Sequence, residues 1–128
     1  PGTSETINVQ TTQEGDLMLS IGTMLVNTND AFVGESGLSL KSLSVGEHFE
    51  MNMNVWDSGT EANDELASTI PGPAGGGEGF NATRNDSNDV VSFHPGVVSQ
   101  DDGLASSTLS AVHRFLNPGA KITITRIE

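Results

Sequence analysis

Five carboxylate and amide side chains lie together in the segment "WDSGTEANDE", residues 56–65. They are Asp57, Glu61, Asn63, Asp64 and Glu65, and no lysine or arginine lies among them. Crowded carboxylates repel one another, so a divalent cation would offset an electrostatic cost. Calcium binds roughly 6 to 8 oxygen ligands, whereas zinc prefers histidine or cysteine. These residues favour a calcium site, although acidic segments of this kind are more often solvated turns.

Length and composition narrow the function classes. The chain has 128 residues, enough for about one domain. Its formal net charge of −12 repels phosphate backbones, so we expect no nucleic-acid partner. With no cysteine, the chain can form neither a disulfide framework nor a thiolate metal site. No apolar run reaches the roughly 20 residues that span a bilayer.

Alternating apolar residues predict an antiparallel β fold. Phe49, Met51, Met53 and Val55 share one face of a strand over 48–56, and polar residues occupy the other face. We count about six strands, of which 31–40 could form one or two pieces. The predicted strands are 5–10, 17–26, 32–40, 48–56, 89–94 and 120–128.

Two segments have helical rather than alternating patterns. Ala105, Leu109, Val112 and Leu116 recur at helical spacing and predict a helix of about three turns. A second short helix is predicted over 63–70. Residues 71–88 are too rich in glycine, proline and asparagine to pair as a strand, so we predict a long surface loop there.

The strand directions place two aspartates together. If strands 17–26, 32–40 and 48–56 alternate in direction, the residues that follow the first and third strands lie at the same end of a β-sandwich. Asp30 and Asp57 are those residues. The argument requires that 32–40 form a single strand.

The ordinary candidates for a catalytic base near neutral pH are three histidines, His48, His94 and His113. Their spacing matches no hydrolytic motif, and no G-x-S-x-G, Walker or H-E-x-x-H pattern is present. We therefore expect a module that is not an enzyme. The alternative is a small metal-dependent hydrolase that uses the same acidic loops and requires an open cleft with a histidine in reach.

Five blocks, in the same order, resemble a known family. They are "MLVNTNDAFVG", "WDSGTEANDE", "IPGPAGGGEGFNATR", "HPGVVSQDDGLASSTL" and "HRFLNPGAKITITRIE", and together they resemble a bacterial spondin domain. The resemblance implies a C2-like antiparallel β-sandwich with calcium in loops at one end. It also implies a secreted or cell-surface adhesion or binding module with a protein or carbohydrate ligand, and membrane contact stays open.

Family members usually begin with a further N-terminal section that supplies the first strands. The resemblance therefore implies that residues 1–128 form a spondin-like domain without those strands. An uncovered sheet edge would then pair with the N-terminal segment or with another chain.

The resemblance also assigns calcium ligands. It places Asp57 in the family's W/Y-D-x-G-T-(D/E) block, with Glu61 at the end of that block and Asp30 in "TND". The distal ligand implied by the resemblance is Asp101 or Asp102, in "QDDGL", where an aspartate could equally cap a helix. We expect the side chain of Asp64 to lie in solvent.

Overall fold

In a computed structural model, which describes residues 2–11, 15–76, 85 and 88–128, the chain is built from six strands with very little helix. The structure is therefore all-β, as the alternating sequence pattern predicts. The strands are β1 (Met18–Met24), β2 (Ala31–Ser39), β3 (His48–Met53), β4 (Val55–Asp57), β5 (Ser92–Phe93) and β6 (Ala120–Thr125). The helical turns are α1 (Gly72–Gly75) and two 3₁₀ helices, Gln100–Asp102 and Ala111–His113.

The larger sheet contains four antiparallel strands in the order β1-β2-β4-β5. One row of paired side chains, Met24, Phe32, Trp56 and Phe93, crosses all four strands. The rings of Trp56 and Phe93 stack with centroids 4.4 Å apart. This cross-strand stack helps to hold the two-residue strand β5 against β4.

The smaller sheet is an antiparallel ribbon of β3 and β6. Its side chains alternate between the two faces as the sequence pattern predicts. On one face Met51 pairs with Ile122, and Met53 pairs with Ala120. Burial on this face increases along β3 and reaches its maximum at Met53. The ribbon therefore contributes to the core mainly through the end that leads into β4.

The predicted strand 48–56 is wrong as a single element, because it divides at Asn54 into β3 and β4, which belong to different sheets. Hydrogen bonds from the segment before β6 explain the division. The N–H of Val55 donates to Oδ1 of Asn117 at 2.7 Å, and the N–H of Gly119 donates to the carbonyl of Met53 at 3.0 Å. The chain therefore leaves one sheet and enters the other without a loop.

Among the described residues, two small clusters form the core. The first is Ala31, Val33, Met53 and Val55, so it joins residues of both sheets. The second is Ile70, Val97 and Leu109, which lie outside the strands. Phe115 packs against both clusters and connects them.

The predicted helix over 105–116 is wrong. Only the 3₁₀ turn Ala111–His113 forms, and Val112 and Leu116 are 83% and 87% exposed. Hydroxyl groups compete for the backbone in this segment, since Oγ of Ser107 accepts the N–H of Leu109 at 3.0 Å. Of the four apolar residues that predicted the helix, Leu109 alone is fully buried, and it packs in the second cluster without a helix.

Three further predictions have different outcomes. Residues 5–10 form no strand, and 63–70 form a hydrogen-bonded turn at 66–70 rather than a helix. Of the predicted loop 71–88, residues 71–76 contain α1, whereas 77–84 and 86–87 lie outside the described residues. Among the described helices none has the length and apolar character needed to cross a membrane.

Candidate functional site

Asp30 and Asp57 lie at the same end of the larger sheet. Asp30 directly precedes β2, Asp57 ends β4, and Ala31 pairs with Asp57 across the two antiparallel strands. β2 is a single strand, so the condition of the direction argument is met. The predicted meeting of the two aspartates is confirmed.

One carboxylate oxygen of Asp30 is heavily hydrogen-bonded. Its Oδ2 accepts the hydroxyls of Ser58 and Thr60 at 2.7 and 2.8 Å and the N–H groups of Thr60 and Glu61 at 2.7 and 2.9 Å. Burial alone would raise the pKa of Asp30, but these hydrogen bonds outweigh burial and lower it. The side chain is 9% exposed, and its other oxygen, Oδ1, is buried without a partner. Asp30 is therefore held as a carboxylate with one oxygen free.

Asp57 is buried at the end of β4, and the turn that follows the strand contacts its carboxylate. Its Oδ1 accepts the N–H of Gly59 at 2.8 Å, and its Oδ2 accepts the side-chain amide of Asn63 at 2.6 Å. Gly59 has a φ of 71°, which favours glycine, and an added Cβ would collide with the backbone of Val90. The "DSGT" segment thus folds back over Asp57 and delivers Ser58 and Thr60 to Asp30.

Glu61 is the third acidic residue of this group, and one of its carboxylate oxygens lacks a hydrogen-bond donor. Its Oε2 is buried without a hydrogen-bond partner. Burial raises the pKa of Glu61, the charges of Asp30 and Asp64 raise it further, and a hydrogen bond from Asn29 partly opposes the increase. Glu61 and Asp30 therefore repel each other in a partly desolvated site.

The other two acidic residues of this segment tie loops together. Oδ1 of Asp64 accepts the Asn29 amide at 3.1 Å, the Leu66 N–H at 3.0 Å and the Thr69 hydroxyl at 2.5 Å, so the expectation of a solvated Asp64 is wrong. Glu65 is fully buried. Its Oε1 accepts the N–H of Val98 at 3.1 Å, and burial raises its pKa, an effect that this bond partly opposes.

Asp101 and Asp102 lie in the first 3₁₀ helix, and their carboxylates contact residues 99–114. Oδ2 of Asp101 accepts the N–H of Ala111 at 2.7 Å. Asp102 accepts the N–H and hydroxyl of Ser99 at 3.0 and 2.7 Å and forms an ion pair with Arg114. Both carboxylates accept backbone N–H groups at the starts of 3₁₀ helices, as in the capping role that the sequence left open. None of these contacts joins the two aspartates to Asp30 or Asp57.

His94 lies beside the acidic group, a position that the sequence reading did not assign to it. It follows β5 directly, and its N–H donates to the carbonyl of Val55 at 3.2 Å. The ring is 5% exposed, lies against Phe115 with centroids 5.2 Å apart, and has a buried Nε2 without a partner. Burial lowers the pKa of His94, and the negative charges of Asp57 and Asp30 partly oppose this. The pairing of Phe93 with Trp56 is the signal that would have placed His94 here.

The described cationic side chains make their contacts elsewhere. Lys41, Arg114 and Lys121 pair with Asp16, Asp102 and Glu50, and Arg126 donates to the carbonyls of Leu43 and Glu128. Within the described ranges the negative charge at Asp30, Asp57 and Glu61 therefore has no ion-pair partner.

The donor set fits a hard cation only in part. Asp30 and Glu61 each offer an unpartnered buried oxygen, and Asp57 lies beside them with both oxygens already hydrogen-bonded. Over the part of the chain that the structure describes, no three histidine, cysteine, aspartate or glutamate side chains are already grouped to hold a metal ion. The arrangement thus supplies charge and free oxygens, and further ligands would have to come from backbone carbonyls, amides or water.

The other two histidines are not close to this group. His48 is exposed at the start of β3, where it pairs with Thr125. Nδ1 of His113 accepts the N–H of Ser110 at 3.0 Å within the second 3₁₀ helix. A shallow cleft is lined by Ser39, Leu40 and Phe49, at the opposite end of β2 from Asp30.

Comparison with known proteins gave no relatives. No protein-family model matches the chain, and no curated protein or solved structure is significantly similar to it.

Proposed function

We propose that this chain is a calcium-binding module of a secreted or cell-surface bacterial protein, with a C2-like β-sandwich of the spondin type and no enzymatic activity. Calcium would bind at the Asp30–Asp57 end of the larger sheet and hold its loops together. The observation that carries the proposal is the pair of buried, unpartnered carboxylate oxygens, Oδ1 of Asp30 and Oε2 of Glu61.

The electrostatics of the two acids support a cation. A buried carboxylate oxygen without a donor or a counter-charge is costly, and two neighbouring carboxylates increase that cost. No described lysine or arginine pairs with either of them, and Asp30 raises the pKa of Glu61. A divalent ion between the two carboxylates would reverse this repulsion, and hard oxygen ligands suit calcium.

The proposed ligands are Asp30 and Glu61, with Asp57 orienting the loop or contributing a further lone pair. Asp101 and Asp102 stay a prediction of the spondin resemblance, because their carboxylates contact residues 99–114. Of the two features that the hydrolase alternative requires, His94 supplies a histidine beside the acidic group, and an open cleft is the other. The metal position of a hydrolase would have to be open to substrate, whereas the free oxygens of Asp30 and Glu61 are buried.

The partner of such a module would be a protein or a carbohydrate at the cell surface, as the resemblance implies. The formal net charge of −12 favours partners that are not anionic polymers.

Melting curves with calcium and with EDTA test the proposal. Calcium at a hundred times its Kd should stabilise the native state by about 2.7 kcal/mol, which corresponds to roughly 10 °C for a chain of this length. Glu61→Gln and Asp30→Asn should each lose most of this calcium response. In EDTA, Glu61→Gln should be at least as stable as wild type, because it removes a repelled charge from an oxygen that accepts no hydrogen bond.

Asp16→Asn is the matched control. Asp16 lies before β1, at the end of the sheet opposite Asp30, and pairs with Lys41 at the surface. Its substitution removes the same charge and should leave the calcium response intact. An unchanged wild-type melting temperature in calcium and EDTA, or an equal loss of response in all three variants, would contradict the proposal.

A further inference from the structure

His94 is held in one tautomer by the turn that follows β5. The N–H of Gly96 donates to Nδ1 of His94 at 3.0 Å. A backbone N–H can only donate, so Nδ1 must present its lone pair. The neutral ring therefore carries its proton on Nε2, and Nε2 is a hydrogen-bond donor.

The turn enforces this arrangement. Pro95 has no N–H, and Gly96 has a φ of 98°, which returns its own N–H to the ring two residues back. Phe115 lies against the ring and restricts it from one side. Binding a metal through Nε2 would require the proton to move to Nδ1 and the Gly96 hydrogen bond to break.

The Nε2–H donor belongs to a side chain on the same face of the larger sheet as Asp57. Ser92 pairs with Asp57, and His94 lies two residues further along, where its backbone N–H donates to the carbonyl of Val55. Nε2 is buried without a partner, and His94 as a whole is only 5% exposed. It is electrostatically coupled to Asp57 and to Asp30, whose Oδ1 is a buried acceptor without a donor. A buried donor without an acceptor and a buried acceptor without a donor therefore lie at the same end of the larger sheet.

We propose that His94 is a selectivity-determining positioning residue: its Nε2–H donates to a carboxylate of the site or to a water there, and does not coordinate the ion. The cation site is consequently made of oxygen ligands alone, which suits calcium and denies zinc the imidazole nitrogen that it prefers. This inference rests on the proposed calcium site and adds its choice of metal.

Titration calorimetry with calcium and with zinc tests the inference. The protein should carry His48→Gln and His113→Asn, so that neither of the other imidazoles binds zinc; Asn retains an acceptor for the Ser110 N–H. Calcium should bind more tightly than zinc at the Asp30–Glu61 site, because its ligands are oxygens and no imidazole nitrogen is offered. The ¹⁵N chemical shifts of the His94 ring should show the proton on Nε2 both before and after calcium is added.

His94→Asn separates positioning from coordination. Asparagine can keep an acceptor for the Gly96 N–H but has no donor at the position of Nε2. It should weaken calcium binding by about tenfold, the lower end of the effect of a second-layer partner, and leave zinc binding unchanged. His113→Asn alone should leave the calcium affinity unchanged.

Tighter binding of zinc than of calcium, lost in His94→Asn, would overturn the inference, as would a proton on Nδ1 in the metal-bound protein. An unchanged calcium affinity in His94→Asn would also overturn it, while leaving the calcium site itself standing. If the unaltered chain binds no calcium, the proposed function fails, and the His94 shifts then report on the tautomer alone.

Discussion

Replacement of Asp30 by alanine should destabilise the chain even without any metal. The substitution leaves the N–H groups of Thr60 and Glu61 without their acceptor, whereas the hydroxyls of Ser58 and Thr60 lie 2.9 Å apart and can bond to each other. An unsatisfied buried donor costs about 1–3 kcal/mol. Because these donors are only partly buried and repulsion with Glu61 is relieved, we expect a loss of about 2–4 kcal/mol.

Asp30→Asn retains one acceptor oxygen and should lose about half of that amount. Urea denaturation in EDTA measures both variants, and Asp16→Ala is the control for removal of a surface charge, with an expected effect below about 1 kcal/mol. The hydrogen-bonding role assigned to Asp30 is refuted if the free energy of unfolding of Asp30→Ala lies within about 1 kcal/mol of the wild-type value, a difference that an ordinary surface substitution could cause. It is equally refuted if asparagine and alanine cost the same.

Three further outcomes follow from burial and close contact. Glu65→Gln should become more stable than wild type as pH rises above 4.5, the ordinary pKa of glutamate. Burial raises the folded-state pKa of Glu65, so its ionisation opposes folding in wild type alone. Paired urea titrations at pH 4.5 and 7 measure this difference, and the two proteins should not diverge if Glu65 is not buried. Leu109→Ala should cost about 2–5 kcal/mol, since Leu109 is 0% exposed, whereas Leu116→Ala should cost little; equal thermal shifts would contradict the second core cluster. Gly119→Ala should cost about 1–3 kcal/mol by calorimetry, because its Cβ would collide with the side chain of Val55, and a neutral effect would count against this packing.

The end of the larger sheet could be predicted from sequence because strand direction is a simple constraint. If the strands 17–26, 32–40 and 48–56 alternate in direction, Asp30 and Asp57 must lie at the same end, and β4, the last part of 48–56, does pair antiparallel with β2. Alternation likewise predicted the paired faces of β3 and β6, since Met51 and Met53 point to the side that packs. These features depend on local periodicity and on few long-range contacts.

The remainder depends on contacts between distant segments. The strand change at Asn54 requires Asn117, 63 residues later, and the alternating pattern continues through it without a break. The helix prediction failed because hydroxyl side chains such as Ser107 satisfy the backbone locally. His94 was missed because its role depends on pairing of the very short strand β5 and on a turn at Gly96.

The crossing at Asn54 also has a consequence for local opening. Since β3 continues directly into β4, the two sheets share a covalent connection that is clamped on both sides by the segment before β6, through Val55 and Gly119. The ribbon can fray from its His48 end, but it cannot detach at the crossing without disturbing the first core cluster. In hydrogen exchange, the amides of Val55 and Gly119 should therefore exchange only when the whole chain unfolds, so the two sheets behave as one cooperative unit.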